Sequence, residues 1–184
     1  VGSEMCIRDR PQTEKGLTGK GFEFLAEMER MHMIVDVSHL SDKGFWDIVE
    51  HGTRPFAASH SNCRALAPHT RNLTDEMIRA LSERGGIAGL NYYAPFLDTD
   101  PTHPENCRST VELIAKHAAH YKQVGGAQMI ALGSDFDGID GPHQLENAAF
   151  LPLLADALRK EGFTEDEVEG IYYRNAMRFF EENL

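Results

Sequence analysis

The chain has 184 residues, enough for one domain with an apolar core, and carries a formal net charge of −11. Proteins bind nucleic acids and anionic membrane surfaces through basic faces, so this acidic balance argues against both partners. No apolar run approaches the roughly 18–20 residues of a membrane-spanning helix, and the sequence therefore predicts no membrane segment.

The cysteines and the amino-terminal residues give two further expectations. Cys6, Cys63 and Cys107 show no Cys-x-x-Cys spacing, which favours reduced thiols over disulfides or a cysteine-rich zinc site. With no secretory signal at the start, this pattern predicts a cytoplasmic location. Residues 1–10 lack periodicity and resemble a non-native, adapter-like segment, which predicts that native residues upstream are missing.

Helical and strand-like segments alternate from residue 17 onwards. Apolar residues at helical spacing predict the helices, and short β-branched or apolar runs predict the strands. Ser41 and Thr164 are expected to begin helices as caps, the latter in a capping box with Glu167. The predicted strands cover residues 33–39, 55–60, 87–92 and 128–134. The predicted helices cover residues 17–32, 42–51, 110–121, 145–161 and 165–182, with one more between Thr74 and Gly85; residues 61–72 and 94–108 are predicted loops.

This alternation predicts an α/β fold with a parallel sheet and right-handed crossovers. Four βα units are half of an eightfold barrel, and the chain is short for a complete barrel of about 250 residues. We therefore expect a partial (β/α)8 TIM barrel of about four βα units plus carboxyl-terminal helices. In such barrels the active site lies at the carboxyl ends of the strands, where side chains distant in sequence converge.

Two predicted strands end on histidines, His39 and His60. Neighbouring strands lie about 4.8 Å apart, so both imidazoles can bind one divalent ion, most simply Zn²⁺. The alternative is two buried histidines bonded to the backbone; the shared position at strand ends favours the metal. His117 and His120 lie on a helical pattern and are predicted to face solvent.

A carboxylate, Asp135, follows the fourth predicted strand, and Asp137 comes two residues later. Beside a metal ion, such a carboxylate can act as a general base. The alternative is an Asx-type turn in which short carboxylates accept local N–H groups. The residues alone leave both interpretations open.

Further candidates lie in the loop after the second strand and at the end of the third. Arg64 and Arg71 are suited to hold a carboxylate through two parallel hydrogen bonds, although most loop arginines are simply solvated. Asn91, Tyr92 and Tyr93 can line a pocket or pack at the rim.

Four runs of the chain, taken in order, resemble the membrane (renal) dipeptidase family, peptidase family M19: VDVSHLSDKGFWDIVE, RPFAASHSNCRAL, HTRNLTDEMIRALSERGGIAGLNYY and IALGSDFDG. Members of this family are zinc dipeptidases with a barrel of the metal-dependent hydrolase type. The resemblance covers most of residues 16–184. The closing run RNAMRFFEE is a looser match, because Tyr173 and Arg174 stand where small residues are common.

The resemblance implies roles for residues that match the family's motifs. His39 and His60 match zinc ligands, Arg71 matches the arginine that holds the dipeptide's carboxylate, and Asp135 matches the catalytic acid/base. A complete family site has two zinc ions. Its His-x-Asp pair, its bridging glutamate and a substrate-polarising histidine have no candidate before Leu17. The resemblance therefore implies that residues 11–184 are the carboxyl-terminal half of a dipeptidase, with at most one partial zinc site.

Two alternatives to a dipeptidase remain. Another zinc amidohydrolase, of the deaminase or phosphotriesterase type, also uses histidines on the fifth and sixth strands and an aspartate on the eighth. The second alternative is a catalytically incompetent half barrel, whose open sheet edges predict self-association into homo-oligomers. Arg71 favours a substrate with a carboxylate, and thus a dipeptide.

Overall fold

The computed structural model of the chain describes residues 15–99, 106–141 and 143–184. The segment predicted to be adapter-like, residues 1–10, lies outside these ranges. The described residues contain a parallel sheet whose strands follow the order β1 (Ala57–Ala58), β2 (Ile87–Leu90) and β3 (Ile130–Leu132). All of β2 is buried, as expected for a parallel strand that is covered on both faces.

The first predicted strand, over residues 33–39, is reduced to a single parallel bridge between Asp36 and Ala57. The N–H of Val37 donates to Ala57 O at 2.8 Å, and the N–H of Ala57 donates to Val35 O at 2.9 Å. Pairing stops there because the chain turns, with the N–H of Leu40 bonded to Val37 O. Residues 33–38, here called the first segment, nevertheless lie beside β1 where the prediction put a strand.

Eight α-helices lie in the described residues, and most begin at a polar cap. Side chains of Thr18, Ser41, Thr74, Thr110 and Thr164 accept main-chain N–H groups at helix starts, and Thr164 forms the predicted capping box with Glu167. The helices are α1 (Gly19–Arg30), α2 (Asp42–His51), α3 (Asp75–Glu83), α4 (Ala94–Leu97), α5 (Val111–Gly125), α6 (Leu151–Lys160), α7 (Glu165–Glu169) and α8 (Asn175–Asn183).

Several predicted segments differ from the structure. The strands β1 and β3 are shorter than the predicted strands over residues 55–60 and 128–134, and three predicted helix or loop segments also differ. The loop predicted from residue 94 begins with α4, whose first turn contains a proline, a residue favoured there. The helix predicted from residue 145 starts only at Leu151, because Leu145 is buried in the core and the side chain of Asn147 caps a short 3-10 turn instead. The last predicted helix is divided by a π-helical turn, Gly170–Arg174.

Alternate residues of the strands face two apolar layers. On one face, the strand residues pack against the outer helices; on the other, they pack against α8. The outer layer includes Ala58, Ala88 and Ile130 with Ile78, Ile114 and Leu158 of the helices. The inner layer includes Ala57, Ile87 and Ala131 with Ile34, Ala176 and Phe179.

The last helix, α8, lies across the amino ends of the strands. Asn175 Nδ2 donates to the main-chain oxygens of Ala127 and Ile130 at 2.9 and 2.8 Å. At the far end of α8, Arg54 donates to Asn183 O at 2.7 Å. The carboxyl ends of the strands are thus the ones left for a site. Within the described part of the chain, no helix combines the length and the apolar character needed to cross a bilayer.

Candidate metal and substrate site

The two predicted metal ligands lie together at the carboxyl ends of the first segment and β1. The Nε2 atoms of His39 and His60 are 2.8 Å apart, and their ring centroids are 4.9 Å apart. Burial lowers the pKa of His60, the carboxylates of Asp135 and Asp36 oppose that shift, and Arg71 and His39 reinforce it. His60 is therefore a neutral imidazole at neutral pH, which is the form that binds metal ions.

A carboxylate and a hydroxyl that the sequence analysis missed surround His60. Asp36 Oδ1 accepts the main-chain N–H groups of Ser38 and Ser59 at 3.1 and 3.0 Å. Asp36 Oδ2 accepts the Ser59 hydroxyl at 2.5 Å, and that hydroxyl oxygen lies 2.7 Å from His60 Nδ1. Burial would raise the pKa of Asp36, but the hydrogen bonds from Ser59 and Ser38 outweigh it and lower the pKa. The available signal was a polar residue shortly before each histidine: Asp36 comes three residues before His39, and Ser59 directly precedes His60.

The predicted catalytic carboxylate is tied to the histidine pair through an amide. Asn91 Nδ2 donates to Asp135 Oδ2 at 3.0 Å and lies 3.4 Å from His60 O. Asn91 is fully buried, so its amide holds this carboxylate near the end of β1. Asp135 has φ of 63°, a left-handed conformation that aspartate tolerates better than most residues. Asp137 is exposed, and the geometry favours Asp135 of the two.

The strands approach each other very closely beneath these side chains. A Cβ atom added to Gly89 or to Gly133 would collide with the main-chain oxygen of Ser59. Glycine at both positions therefore permits the close approach that brings Asp135 toward His60.

The predicted carboxylate-binding arginine lies at the same edge of the sheet. Arg71 Nε donates to Ser38 O at 2.7 Å, and its guanidinium carbon is 5.3 Å from the centroid of the Phe96 ring. The ring of Tyr93 packs edge-on against the same Phe96 ring, with centroids 5.0 Å apart. The structure thus brings Arg71, Phe96 and Tyr93 into one group close to His60.

Side-chain amides and a second arginine give the loop after β1 its shape. Asn62 Nδ2 donates to Asn91 O at 2.9 Å, and Asn62 Oδ1 accepts the N–H of Asn91 at 3.0 Å. Asn72 Nδ2 donates to the last turn of α4 at 2.9 Å. Arg64 forms two parallel hydrogen bonds with Asp42, at 2.6 and 2.7 Å, so this arginine supports the loop.

The prediction that His117 and His120 face solvent was wrong. His117 is 1% exposed; its Nδ1 accepts the N–H of Cys63 at 3.0 Å, and its Nε2 donates to Leu97 O at 3.1 Å. Burial lowers the pKa of His117 to about 4, the hydrogen bond to Leu97 opposes the shift, and His120 reinforces it. His120 is half-buried against Asp75, at 2.7 Å. The apolar neighbours of His117 on its helix were the missed signal.

The residues present fit part of a zinc site. The Nε2 atoms of two imidazoles lie 2.8 Å apart, and imidazole nitrogen is a preferred zinc ligand. Across residues 15–99, 106–141 and 143–184, however, no group of three or more histidine, cysteine, aspartate or glutamate side chains could hold an ion. Catalytic zinc sites normally have three protein ligands and a water molecule. His39 and His60 therefore fit as two ligands of a larger set.

Comparison with known proteins identifies the fold and the family. The family model for membrane dipeptidases, peptidase family M19, matches residues 3–183. The chain belongs to this family. The membership confirms the resemblance that the four sequence motifs carried.

Relatives within and near the M19 family cover nearly all of this chain. An uncharacterized dipeptidase from Schizosaccharomyces pombe is 34% identical over 167 residues, which are 90% of this chain and 39% of that protein. The crystal structure of a metallopeptidase from Rhodobacter sphaeroides, liganded with a phosphinate mimic of the dipeptide L-Ala-D-Ala, has a TM-score of 0.86 and 32% identity, and the match covers 95% of this chain and 49% of that one. A solved M19 dipeptidase has a TM-score of 0.84 and 33% identity, covering 94% and 51%.

The M19 chain therefore spans about half the length of these two solved relatives. The fold prediction, a partial (β/α)8 barrel, is confirmed by these neighbours. The roles of the individual site residues stay predictions: metal binding by His39 and His60, catalysis by Asp135, and substrate binding by Arg71, Asn91 and Tyr93.

Proposed function

We propose that this M19 chain carries part of a zinc dipeptidase site that hydrolyses the peptide bond of dipeptides. The observation that supports this most directly is the pair of Nε2 atoms of His39 and His60, 2.8 Å apart, with Asp135 held beside them by Asn91. Two histidines do not make a complete catalytic zinc site, so the activity belongs to an assembly in which further ligands complete it.

The two histidines and the carboxylate of Asp135 have separate roles in this proposal. His39 and His60 hold the metal, which when bound supplies a Lewis acid and an activated water at neutral pH. Asp135 takes up a proton at its carboxylate and delivers it to the leaving amine. Asn91 keeps that carboxylate oriented through its 3.0 Å hydrogen bond.

Substrate selection falls to the group around Arg71. A planar guanidinium offers parallel donors that match a carboxylate, and Ser38 O together with Phe96 holds this one in place at the edge of the sheet that carries the histidines. Tyr93 lines the same edge. The R. sphaeroides metallopeptidase was solved with a dipeptide mimic, which supports a substrate with a carboxylate near the cleaved bond.

The test combines metal content, binding and turnover. The chain is loaded with Zn²⁺, and binding and hydrolysis of L-Ala-D-Ala and of glycyl-dehydrophenylalanine are measured. Replacing Arg71 by Met should weaken dipeptide binding about 10–100-fold, because it removes a charge-assisted bidentate contact worth about 1.5–3 kcal/mol. Arg79→Met is the matched control, since Arg79 lies exposed on α3.

Two results contradict the proposal. If the zinc-loaded chain neither binds nor hydrolyses dipeptides, the assignment fails. If Arg71→Met and Arg79→Met bind dipeptides equally, Arg71 does not hold the substrate's carboxylate, and the argument for a dipeptide over the substrates of other zinc amidohydrolases fails.

We also propose that the chain self-associates. The first segment and β3 are the outer members of the described sheet, and parallel strands at an edge tend to pair with other chains. Light scattering should give a mass above that of one 20.6 kDa chain, and a monomer at all concentrations tested would contradict this part.

A further inference from the structure

We propose that Asp36 and Ser59 form a hydrogen-bond relay that fixes the neutral tautomer of His60 and so turns its Nε2 lone pair toward the metal position beside His39. The inference rests on the proposed function, because it takes His60 as a metal ligand. Asp36 and Ser59 are positioning residues in this scheme, since both act through His60.

The protons can be assigned by counting donors and acceptors. An ionised carboxylate only accepts hydrogen bonds, so the single proton of the Ser59 hydroxyl points to Asp36 Oδ2, 2.5 Å away. The same hydroxyl oxygen must then accept from His60 Nδ1 at 2.7 Å, which places the imidazole proton on Nδ1. A neutral imidazole has one N–H, so Nε2 retains its lone pair.

The orientation of the Asp36 carboxylate is fixed independently of Ser59 Oγ. Asp36 Oδ1 already accepts two main-chain N–H groups, those of Ser38 and Ser59. The Ser38 hydroxyl in turn accepts the N–H of His60 at 3.0 Å, which holds the start of the loop. The relay is thus anchored to the backbone of the first segment and of the residue that follows β1.

This anchoring predicts an unusual effect for the isosteric variant Asp36→Asn. The asparagine oxygen must stay on the two main-chain donors, so its NH₂ group faces Ser59 Oγ. The hydroxyl then accepts from that NH₂ group and turns its own proton toward His60 Nδ1. Nδ1 becomes the acceptor, and the imidazole proton moves to Nε2, the nitrogen that the metal requires.

The experiment measures tautomer and metal affinity separately on the full chain. Imidazole ¹⁵N NMR of the metal-free protein reports which nitrogen of His60 carries the proton, and titration with Zn²⁺ gives the affinity. We expect Nδ1–H in the unmodified chain and Nε2–H in Asp36→Asn, with zinc affinity lowered about 10–100-fold. Ser59→Ala should lose less zinc affinity, because it leaves both tautomers of His60 accessible. Ser59→Thr retains a hydroxyl and should keep the tautomer and the zinc affinity of the unmodified chain.

Ser82→Ala is the matched control. The Ser82 hydroxyl donates to Gly125 O at 2.6 Å, at the end of α5, and its loss should change neither tautomer nor affinity. Circular dichroism melting of every variant verifies that each is folded.

Several outcomes overturn the relay: Nε2–H on His60 in the unmodified chain, no tautomer change in Asp36→Asn, or a tautomer change with zinc affinity unaltered. Absence of zinc binding by the unmodified chain also overturns its role. A failure of the proposed function alone would give another result: the tautomer and the zinc affinity respond as expected, but dipeptides are neither bound nor cleaved.

Discussion

Two histidines of this chain, His117 and His60, show opposite uses of the same side chain. Both ring nitrogens of His117 are bonded to main-chain groups, of Cys63 and Leu97, inside the core. His60 lies at the open edge of the sheet, with Nδ1 on Ser59 and Nε2 facing a second imidazole. A histidine satisfied by the backbone supports packing, whereas one whose nitrogen faces another ligand-capable group is available for chemistry.

The largest expected effect separates these two roles by stability. Replacing His117 by Ala should lower the free energy of unfolding by about 4 kcal/mol, because it leaves a cavity and removes the partners of buried main-chain groups. His60→Ala should cost less, about 1 kcal/mol, because the half-buried ring loses its hydrogen bond with Ser59 but leaves no cavity in the core. Urea unfolding of both variants measures the difference, and similar losses would remove the distinction.

A smaller effect is expected from the glycine beneath the site. Gly133→Ala should cost about 2–3 kcal/mol, because the new methyl group meets Ser59 O and the strands must move apart. Gly19→Ala is the control: nothing lies within 4 Å of the added carbon, so its stability should be equal or slightly higher. The same unfolding assay applies, and an unchanged Gly133→Ala variant would show that the edge of the sheet is loosely packed.

The pH dependence of stability sharpens the comparison further. In the folded chain the pKa of His117 is lowered to about 4, while the unfolded chain has the ordinary value of about 6.5. Between these values the unfolded chain binds more protons, so stability falls as the pH falls. From pH 7 to pH 5 this group should cost about 2 kcal/mol.

The variant His117→Gln isolates that contribution. It lacks the titrating group, so its unfolding free energy should fall less than that of the unmodified chain between pH 7 and pH 5. Parallel curves for the two proteins would show that His117 does not carry the predicted linkage.

Much of the fold follows from sequence pattern alone. The alternation of helices and strands, and the caps at Ser41 and Thr164, needed only local chemistry. The length of the first strand could not be predicted in this way, because pairing depends on how the chain turns after Val37. The late start of α6 was not predicted for a similar reason, because helical periodicity does not show that Leu145 is buried in the core.

The candidate site divides in the same way. His39, His60 and Asp135 could be chosen because each ends a strand-like run, and parallel strands share one edge. Asp36 and Ser59 were missed because their importance depends on hydrogen-bond direction across two neighbouring segments. His117 was misjudged because helical spacing gives a face but does not say what covers that face.

The last helix, α8, lies at the opposite end of the strands from His39 and His60. Phe179 fills the space among Ala57, Ile87 and Ala131, and Asn175 fastens α8 to the sheet. This packing covers the amino ends of the described strands and leaves the carboxyl ends, where His39 and His60 lie, as the side from which a ligand can approach.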